Sequence, residues 1–356
     1  MNRAFWRGKR VLITGHTGFK GAWLCLLLHS LGARVAGFAL DPPTQPNLYD
    51  LARVDEWVDS TVADVRDLAK LSGCVSEFEP EVVFHMAAQS VVLQSYHDPI
   101  ETYSTNVLGT VNLLEAVRHA RRPCTVINVT TDKCYENKGQ FEGYTEDDEL
   151  GGHDPYSSSK ACAELVGAAY RESFFPMSQS DEHRVGLASA RAGNVIGGGD
   201  WTPRQLVPDA ISAFVRSQAV TLRHPSAIRP WQHVLDCLAG YLTLAQAVGE
   251  NIQLYSGAWN FGPCDEDSRS VSYVVETLGA YWGSNTTWVL DGSQHLPEEQ
   301  LLRLDVTKAA KLLNWRCRLT IDEALHWVAS WYRGSYSGRQ PRELCQEQIS
   351  AYLSMN

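Results

Sequence analysis

The sequence lacks a hydrophobic run long enough to cross a membrane. A transmembrane helix takes about 20 consecutive apolar residues, whereas the first apolar run, "VLIT", ends at Gly15. The nine cysteines are scattered, and no two of them form a C-x-x-C pair. This usage is typical of reduced, buried thiols rather than of a disulfide framework or a zinc site. We therefore expect a cytoplasmic protein with no membrane partner and no bound metal.

Positive charge is also scarce. Lys and Arg number 31 against 41 Asp and Glu, so the net charge is −10 at pH 7. Proteins that bind nucleic acid present a basic surface to its phosphates, and we expect no nucleic-acid partner. A small anionic ligand in a locally basic pocket is compatible with this charge. The length of 356 residues is enough for two lobes around one extended core.

Short apolar runs alternate with helical patterns in the first half of the chain. The runs are apolar on both faces, as the buried strands of a parallel sheet are. Their order predicts an α/β fold with a doubly wound parallel sheet that binds ligands at the carboxyl ends of its strands. The predicted strands are 10–15, 33–40, 81–88, 125–131 and 185–195.

The stretch "GHTGFKG" follows the first predicted strand and opens an apolar helix. A triphosphate loop has the spacing G-x-x-x-x-G-K-[ST], which this stretch does not match. Its spacing is G-x-x-G-x-x-G: Gly15 permits a tight turn, Gly18 lets backbone approach a pyrophosphate, and Gly21 lets the helix pack on the strand. It predicts a Rossmann-type dinucleotide site. The other loop residues expected at this site are His16, Thr17, Phe19 and Lys20.

Acidic residues after the next strands indicate which dinucleotide binds. Asp41 ends the second strand, where a carboxylate suits a ribose diol and repels a 2′-phosphate, so we predict NAD. The alternative is that Asp41 only begins the "DPPTQP" turn. Asp64, in "ADVRD" after a third strand, is expected at the adenine or as a helix cap. Further predicted cofactor contacts are Val65, Ala87, Ala88, Gln89 and Asn106, the last of which has a helix cap as its alternative role.

The pattern changes after residue 195, which suggests a smaller, interleaved C-terminal lobe for the substrate. We expect residues 1–195 to form the NAD-binding Rossmann domain, with returning segments near 232–262 that include the strand "GAWNFGP". Segments 196–231 and 263–356 are expected to form the substrate lobe.

"YSSSK" places Tyr156 and Lys160 four residues apart, on one face of a helix. A lysine beside a tyrosine favours the phenolate, so the pair can take a proton from a hydroxyl while hydride leaves the same carbon. The motif alone is weak, but it follows "VTTDK" at the strand edge where the cofactor is expected. The residues by themselves predict an NAD-dependent enzyme that acts on an alcohol.

Five motifs occur in the order of the extended short-chain dehydrogenase/reductases: "TGHTGFKG", "HMAAQS", "VTTDKCY", "YSSSK" and "RAGNVIGGGDW". The chain resembles this superfamily over nearly its whole length, and "TDKCYEN", "HTGFKG" and "IRPWQHV" look like its CDP-glucose 4,6-dehydratase branch. The resemblance implies a lyase that takes CDP-glucose to CDP-4-dehydro-6-deoxy-D-glucose and water through NAD. Another nucleotide-sugar 4,6-dehydratase, a 4-epimerase or a non-catalytic dinucleotide sensor stays open as an alternative.

The resemblance also implies roles for the residues around Tyr156. Thr131 supports that tyrosine in removing the C4 hydroxyl proton, and Asp132 is the acid for the C6 oxygen. Lys133, where most 4,6-dehydratases carry glutamate, is the base or proton shuttle at C5. The alternative is that Lys133 forms a salt bridge and Glu136 is the base.

The resemblance extends to the substrate and to assembly. Asn194 and Arg229 are expected at the diphosphate, Arg204 adds positive charge, and Ser90 reaches the cofactor or the sugar. The alternative to a phosphate contact is that one of these arginines pairs with an acidic residue between the lobes. The helices "NVLGTVNLLEAV" and "SKACAELVGAAY", with small residues such as Ala161, Ala163 and Ala168, imply a homodimer through a four-helix bundle. Their burial against the chain's own sheet is the alternative. The implied products are deoxysugars of bacterial surface polysaccharide.

Overall fold

The computed structural model describes residues 2–263, 267–283, 287–292 and 301–355, and Cys264 lies outside these ranges. The strands are β1 Arg10–Thr14, β2 Arg34–Ala39, β3 Val58–Val62, β4 Val82–His85, β5 Cys124–Val129, β6 Val185–Ala192, β7 Asn194–Ile196, β8 Val220–Leu222, β9 Ile228–His233, β10 Gly257–Phe261, β11 Ser268–Ser270 and β12 Trp288–Leu290.

Helices connect these strands. They are α1 Arg3–Trp6, α2 Phe19–Ser30, α3 Leu48–Leu51, α4 Leu68–Phe78, α5 Val92–His97, α6 Pro99–Tyr103, α7 Gly109–Ala120, α8 Pro155–Ser173, α9 Ser180–His183, α10 Leu206–Val215, α11 Val234–Glu250, α12 Ile252–Tyr255, α13 Val271–Trp282, α14 Thr307–Leu312, α15 Ile321–Tyr336 and α16 Pro341–Ser354. Shorter turns are the 3₁₀ segments Val54–Glu56, Asp132–Cys134 and Met177–Gln179 and the π-helical segment Ser104–Leu108. Within the described ranges, no helix has the length and hydropathy to cross a bilayer.

A seven-stranded sheet with the order β10-β6-β5-β4-β1-β2-β3 forms the centre of the fold. Every pair of neighbouring strands in it is parallel. Side chains alternate between its faces: Val11 and Ile13 join the core that contains α2 and α11, while Leu12 joins the core that contains α4 and α7. Helices therefore cover both faces, and the predicted doubly wound α/β fold is confirmed.

The edge strand β3 is not among the five apolar runs of the sequence. Its residues Asp59, Ser60 and Val62 are exposed. An edge strand has only one neighbour and leaves part of its surface in water, so the continuous apolar pattern that marks the central strands is missing here.

The run 185–195, predicted as one strand, is two strands in two sheets. β6 lies in the main sheet, whereas β7 pairs with β9 in a three-stranded sheet. Gly193 separates them, and a Cβ at this position would lie 2.6 Å from Pro230 Cγ and 3.0 Å from Asp132 Oδ2. The chain thus leaves the main sheet where it passes closest to the Asp132 turn.

The second half of the chain contributes to all three sheets of the described residues. β10, within "GAWNFGP", pairs in parallel with β6 and so returns to the main sheet. β8 and β12 form a separate two-stranded parallel sheet. In the three-stranded sheet, β9 pairs with β11 in antiparallel orientation and with β7 in parallel orientation. The division into two lobes with the bounds given above stays a prediction.

Two of the three small residues expected to face a second subunit lie inside the chain instead. Ala161 and Ala163 are 5% and 1% exposed, because this face of α8 packs on the chain's own interior, whereas Ala168 is half-buried. The exposed apolar side chains of this region are larger ones, such as Leu108 and Leu165.

Candidate active site

A cavity of about 810 Å³ lies at the carboxyl ends of the main strands and extends along the segments that follow β6. It brings together most of the residues singled out in the sequence. The predicted residues that line it are Gly15, Thr17, Gly18, Phe19, Lys20, Gly21, Asp41, Asp64, Val65, Ala87, Ala88, Gln89, Ser90, Thr131, Asp132, Lys133, Tyr156, Asn194, Arg204 and Arg229. His16, Asn106 and Lys160 are not part of its lining.

The glycine loop packs closely on neighbouring backbone and leaves the amino end of α2 without a side-chain cap. Gly15 has a φ of +78°, and a Cβ there would lie 2.8 Å from the Ala87 nitrogen. A Cβ on Gly21 would overlap the Gly15 carbonyl. Helix α2 begins at Phe19, and its N-cap, Gly18, provides no side-chain hydrogen bond. The first amide groups of α2 are therefore available to an anion such as a pyrophosphate.

His16 supports this loop from behind. Its ring is fully buried, its Nε2 lies 2.8 Å from Ser60 Oγ, and it meets the Tyr49 ring edge-on. Burial lowers the pKa of His16 to about 4, so the ring is neutral at physiological pH. His16 thus connects the loop to β3 rather than lining the cavity.

The two acidic residues predicted at the cofactor, Asp41 and Asp64, both line the cavity but differ in their surroundings. Asp41 is exposed. Asp64 accepts hydrogen bonds from the Arg66 side chain at 2.9 and 3.0 Å, and these bonds hold the pKa of the Asp64 carboxyl below its ordinary value. The N-cap of α4 is Asp67, which accepts from the Lys70 amide. Asp64 is therefore not the cap of that helix.

Asn106 is a buried bridge between the loop after β4 and helix α8. Its Oδ1 accepts from the Gln89 amide at 2.8 Å, and its Nδ2 donates to Gln89 O at 3.0 Å and to Ser159 Oγ at 2.8 Å. The nearby His85 is packed in the core between Thr14 and Thr110.

Helix α8 brings the Tyr156 side chain to the wall of the cavity. The helix begins at Pro155, and its N-cap, Asp154, accepts from the Ser157 amide at 2.9 Å. Tyr156 is 8% exposed. One turn further on, Lys160 is buried and its Nζ donates to Val129 O at 3.1 Å.

Burial controls the protonation of this pair. It raises the pKa of Tyr156 above its ordinary value, and a hydrogen bond with Thr131 opposes the rise without cancelling it. Burial also lowers the pKa of Lys160 to about 8, to which the Lys20 charge contributes in the same direction. The predicted preference for phenolate is thus not met by these side chains alone, because desolvation of the tyrosine outweighs them.

A short turn after β5 carries the other predicted catalytic side chains. Thr131 caps it: its Oγ1 accepts from the Lys133 amide at 3.3 Å and donates to Asp132 Oδ1 at 3.0 Å. Asp132 is 2% exposed. Glu136, the alternative base, is outside the cavity lining and pairs with His153 at 3.0 Å. Lys133 is therefore the candidate base that lies beside Asp132 in the cavity.

Arginines are part of the cavity lining. Arg229, on β9, is buried and donates to Ile228 O at 3.0 Å, and Arg204 has a φ of +64° in the loop before α10. Arg223 joins them in the lining, which also contains Asp200 and Asp209. Guanidinium groups in the lining suit a ligand that carries phosphate.

Comparison with known proteins identifies the family of this chain. A family model described as GDP-mannose 4,6 dehydratase matches residues 12–327. The chain belongs to the GDP-mannose 4,6 dehydratase family. It is also similar to CDP-glucose 4,6-dehydratase of Salmonella typhimurium, with 48% identity over 354 residues that cover 99% of each chain. This membership confirms the resemblance to nucleotide-sugar dehydratases that the sequence motifs indicated.

Solved structures similar to this GDP-mannose 4,6 dehydratase family member have the same fold. UDP-glucose 4-epimerase of Thermotoga maritima, solved with UDP-glucose, has a TM-score of 0.79 at 20% identity and covers 92% of this chain and 99% of its own. dTDP-glucose 4,6-dehydratase of Bacillus anthracis, solved in complex with NAD, has a TM-score of 0.77 at 23% identity and covers 94% and 100%. At these identities the likeness concerns the fold alone.

Sequence reasoning missed part of the cavity of this family member. Arg223 and His224 follow β8, and Asp200, whose pKa is raised by burial, lies in the "GGGDW" loop. Arg223 could have been found from its position at the end of the short strand "VTL", because Asp41 was located in the same way, from the end of a strand. Nothing local marked Asp200.

Proposed function

We propose that this protein is a lyase that converts CDP-D-glucose to CDP-4-dehydro-6-deoxy-D-glucose and water with NAD as its cofactor. The observation that carries the chemistry is that Asp132 and Lys133 line the same cavity as Tyr156. An acid and a base thus lie in the same cavity as the residue that takes the C4 hydroxyl proton. The identity of 48% to CDP-glucose 4,6-dehydratase of Salmonella typhimurium supports CDP-glucose as the substrate.

The residues around the glycine loop fit NAD. Gly15 and Gly21 stand where a Cβ would meet neighbouring backbone, and the amino end of α2 is open to a pyrophosphate. Asp41 is exposed at the cavity, where its carboxylate suits a ribose diol. When bound, NAD supplies the acceptor for the hydride that leaves C4 and the donor of the hydride that C6 receives.

The side chains of the cavity then move protons. Tyr156, held by Thr131, accepts the C4 hydroxyl proton while Lys160 supports the charge on its oxygen. The C4 ketone acidifies the C5 hydrogen, which Lys133 takes as a proton. Asp132 gives a proton to the C6 oxygen, so the C6–O bond breaks and water leaves. The exclusion of Glu136 from the cavity lining favours Lys133 as the base.

Product analysis with four substrates tests this function. The protein is incubated with CDP-glucose, dTDP-glucose, UDP-glucose and GDP-mannose, each with and without added NAD. We expect a 4-keto-6-deoxy product, detected by its absorbance in alkali, from CDP-glucose. A C4 epimer without loss of water would instead make the protein a 4-epimerase. Absence of the keto product from every sample would reject the dehydratase.

We propose that the lobes divide the ligands between them. Residues 1–195, with segments near 232–262, hold NAD through the glycine loop, while 196–231 and 263–356 bind the nucleotide sugar. The presence of Arg204 and Arg229 in the cavity lining supports this division. We also propose that the enzyme works in the cytoplasm, in the synthesis of deoxysugars for bacterial surface polysaccharide, in line with a sugar nucleotide as substrate.

We propose that a second copy of this chain covers the exposed side of α7 and α8, forming a homodimer through a four-helix bundle. An apolar groove beside α8 is lined by Ile100 and Tyr103 of α6, Leu108 of the π-helical segment and Cys162 of α8, and Ile100 is 82% exposed. Sedimentation should give a dimer for the wild type and a monomer for Leu108→Glu with Leu165→Glu. The matched change Leu254→Glu, at another exposed leucine, should leave the dimer intact. A monomeric wild type would contradict the proposal.

A further inference from the structure

A buried ion pair lies behind the active site. Glu164 Oε2 and Arg191 Nη2 are 3.0 Å apart, and both side chains are 4% exposed. Glu164 comes one helical turn after Lys160 on α8, and Arg191 lies on β6. Removing two charges from water carries a large penalty, which excellent geometry and further hydrogen bonds offset. The other bonds of the pair are therefore informative.

The pair is connected to the catalytic turn from its amino side. The second carboxylate oxygen, Glu164 Oε1, accepts from Thr130 Oγ1 at 2.5 Å. Thr130 directly precedes Thr131, which caps the turn that carries Asp132. One carboxylate therefore joins the helix that carries Tyr156 to the start of this turn.

The same pair reaches the turn from its carboxyl side. Arg191 Nη1 donates to the Tyr135 hydroxyl at 2.9 Å, and the guanidinium lies 4.9 Å from the centre of the Tyr135 ring. That hydroxyl donates in turn to Asn260 Oδ1 at 2.7 Å. Tyr135 follows the turn directly. Hydrogen bonds from one ion pair thus hold Thr130, which lies before the turn and its cap, and Tyr135, which follows the turn.

We propose that the Glu164–Arg191 pair is a positioning unit that fixes the Asp132–Lys133 turn relative to Tyr156 and Lys160. The inference rests on the proposed dehydratase function, in which both sets of side chains act on one bound sugar. The ion pair, Thr130 and Tyr135 lie outside the cavity lining, so the unit acts through the groups it holds. A displacement of about 1 Å between catalytic groups costs on the order of a hundredfold in rate.

The test loosens the turn without removing a charge. Thr130→Val deletes the hydroxyl that Glu164 binds and retains the ion pair, and Thr130→Ser restores that hydroxyl. Thr125→Val is the matched control, because Thr125 lies near the start of β5, the strand that Thr130 follows, and is outside the cavity lining. Tyr135→Phe tests the other side of the turn independently and serves if Thr130→Val does not fold.

Two half-reactions of CDP-glucose are measured: C4 oxidation in a single turnover, and exchange of the C5 hydrogen with D₂O. We expect Thr130→Val and Tyr135→Phe to slow C5 exchange at least about tenfold more than C4 oxidation, with Thr130→Ser and Thr125→Val close to wild type. Equal losses in both half-reactions, or no loss, would overturn the positioning role. A wild type that transforms no CDP-glucose would instead overturn the proposed function.

Discussion

At the scale of single residues, the charge on Lys160 is set by its burial and by the residues around it. Burial, assisted by Lys20, lowers the pKa of Lys160 to about 8, and the Glu164 carboxylate opposes this shift. The ammonium is therefore present below about pH 8 and lost above it. Because a neutral Lys160 no longer supports negative charge on Tyr156, C4 oxidation should fall as the pH rises through that range.

Replacing Lys20 should shift the pH at which C4 oxidation falls, which is the alkaline limb of its pH profile. Lys20→Met removes a neighbouring positive charge, so the pKa of Lys160 rises and the limb shifts to higher pH. The measurement is the pH profile of single-turnover C4 oxidation at saturating NAD. Lys70→Met, at an exposed lysine on α4, is the control and should leave the profile unchanged. An identical limb in Lys20→Met would contradict the electrostatic link.

The choice of base at C5 is also a single-residue question. Lys133→Met should retain C4 oxidation of CDP-glucose and abolish exchange of the C5 hydrogen with solvent, because no group remains to take the proton. Glu136→Gln is the matched comparison and should retain exchange, since Glu136 faces His153 instead of the cavity. Exchange that persists in Lys133→Met would remove Lys133 from the mechanism.

Local spacing made part of the site predictable. The glycine loop and the Tyr156–Lys160 pair are encoded within a few residues, and strand ends located Asp41. The side-chain orientations of His16 and Asn106 were not predictable from the sequence, because they depend on partners far away in the chain. These partners are Ser60 for His16 and Ser159 for Asn106. Glu164 was missed for the same reason, since its partners come from two other elements.

At the scale of elements, the junction of β6 and β7 shows where sequence pattern fails. An apolar run reads the same whether it stays in one sheet or crosses to another, and here Gly193 marks the crossing. The close approach of the Pro230 and Asp132 side chains makes this glycine a contact between β9 and the turn that carries Asp132.

Gly193→Ala should therefore damage both stability and activity. The added methyl group would overlap Pro230 and press on Asp132, and such overpacking costs about 1–3 kcal/mol. Urea unfolding and the kcat for CDP-glucose give the two measurements. Gly73→Ala on α4, where nothing lies within 4 Å of the new Cβ, should be neutral or stabilising. A Gly193→Ala variant as stable and as active as wild type would contradict the close approach.

The packing of α16 depends on a buried carboxyl. Tyr352 donates to Asp236 Oδ1 at 2.7 Å, and the amides of Arg318 and Leu319 bond the same carboxyl group. Burial raises the pKa of Asp236 to about 6. Since the folded state binds this proton more tightly than the unfolded chain, the contribution of Asp236 to stability is present below about pH 4 and declines as the pH rises to about 6.

Asp236→Asn should remove this pH dependence. We expect the free energy of unfolding of the wild type, relative to the variant, to fall by up to about 3 kcal/mol between pH 4 and pH 7, because one pKa unit corresponds to about 1.4 kcal/mol. Urea titrations of both proteins across this range measure it. A constant difference between them would show that Asp236 does not titrate there.

At the scale of the whole molecule, an acidic net charge coexists with arginines in the cavity. The chain carries −10 overall, yet Arg204, Arg223 and Arg229 all line one cavity. Composition predicted the absence of a basic surface, but it gave no sign of these three arginines, because they come from separate segments that only the fold brings to the same cavity.

Arg229→Gln should raise the KM for CDP-glucose at least about tenfold with little change in kcat, because a buried guanidinium bound to phosphate contributes more to binding than to the chemical steps. Arg229→Lys should restore little of the loss, since an ammonium lacks the planar fork. Arg122→Gln, at an arginine that is 57% exposed on the surface, leaves the net charge identical to that of Arg229→Gln and should not change the KM. The three variants thus separate a local phosphate site from the field of the whole molecule: equal effects of Arg122→Gln and Arg229→Gln would assign substrate binding to overall charge instead.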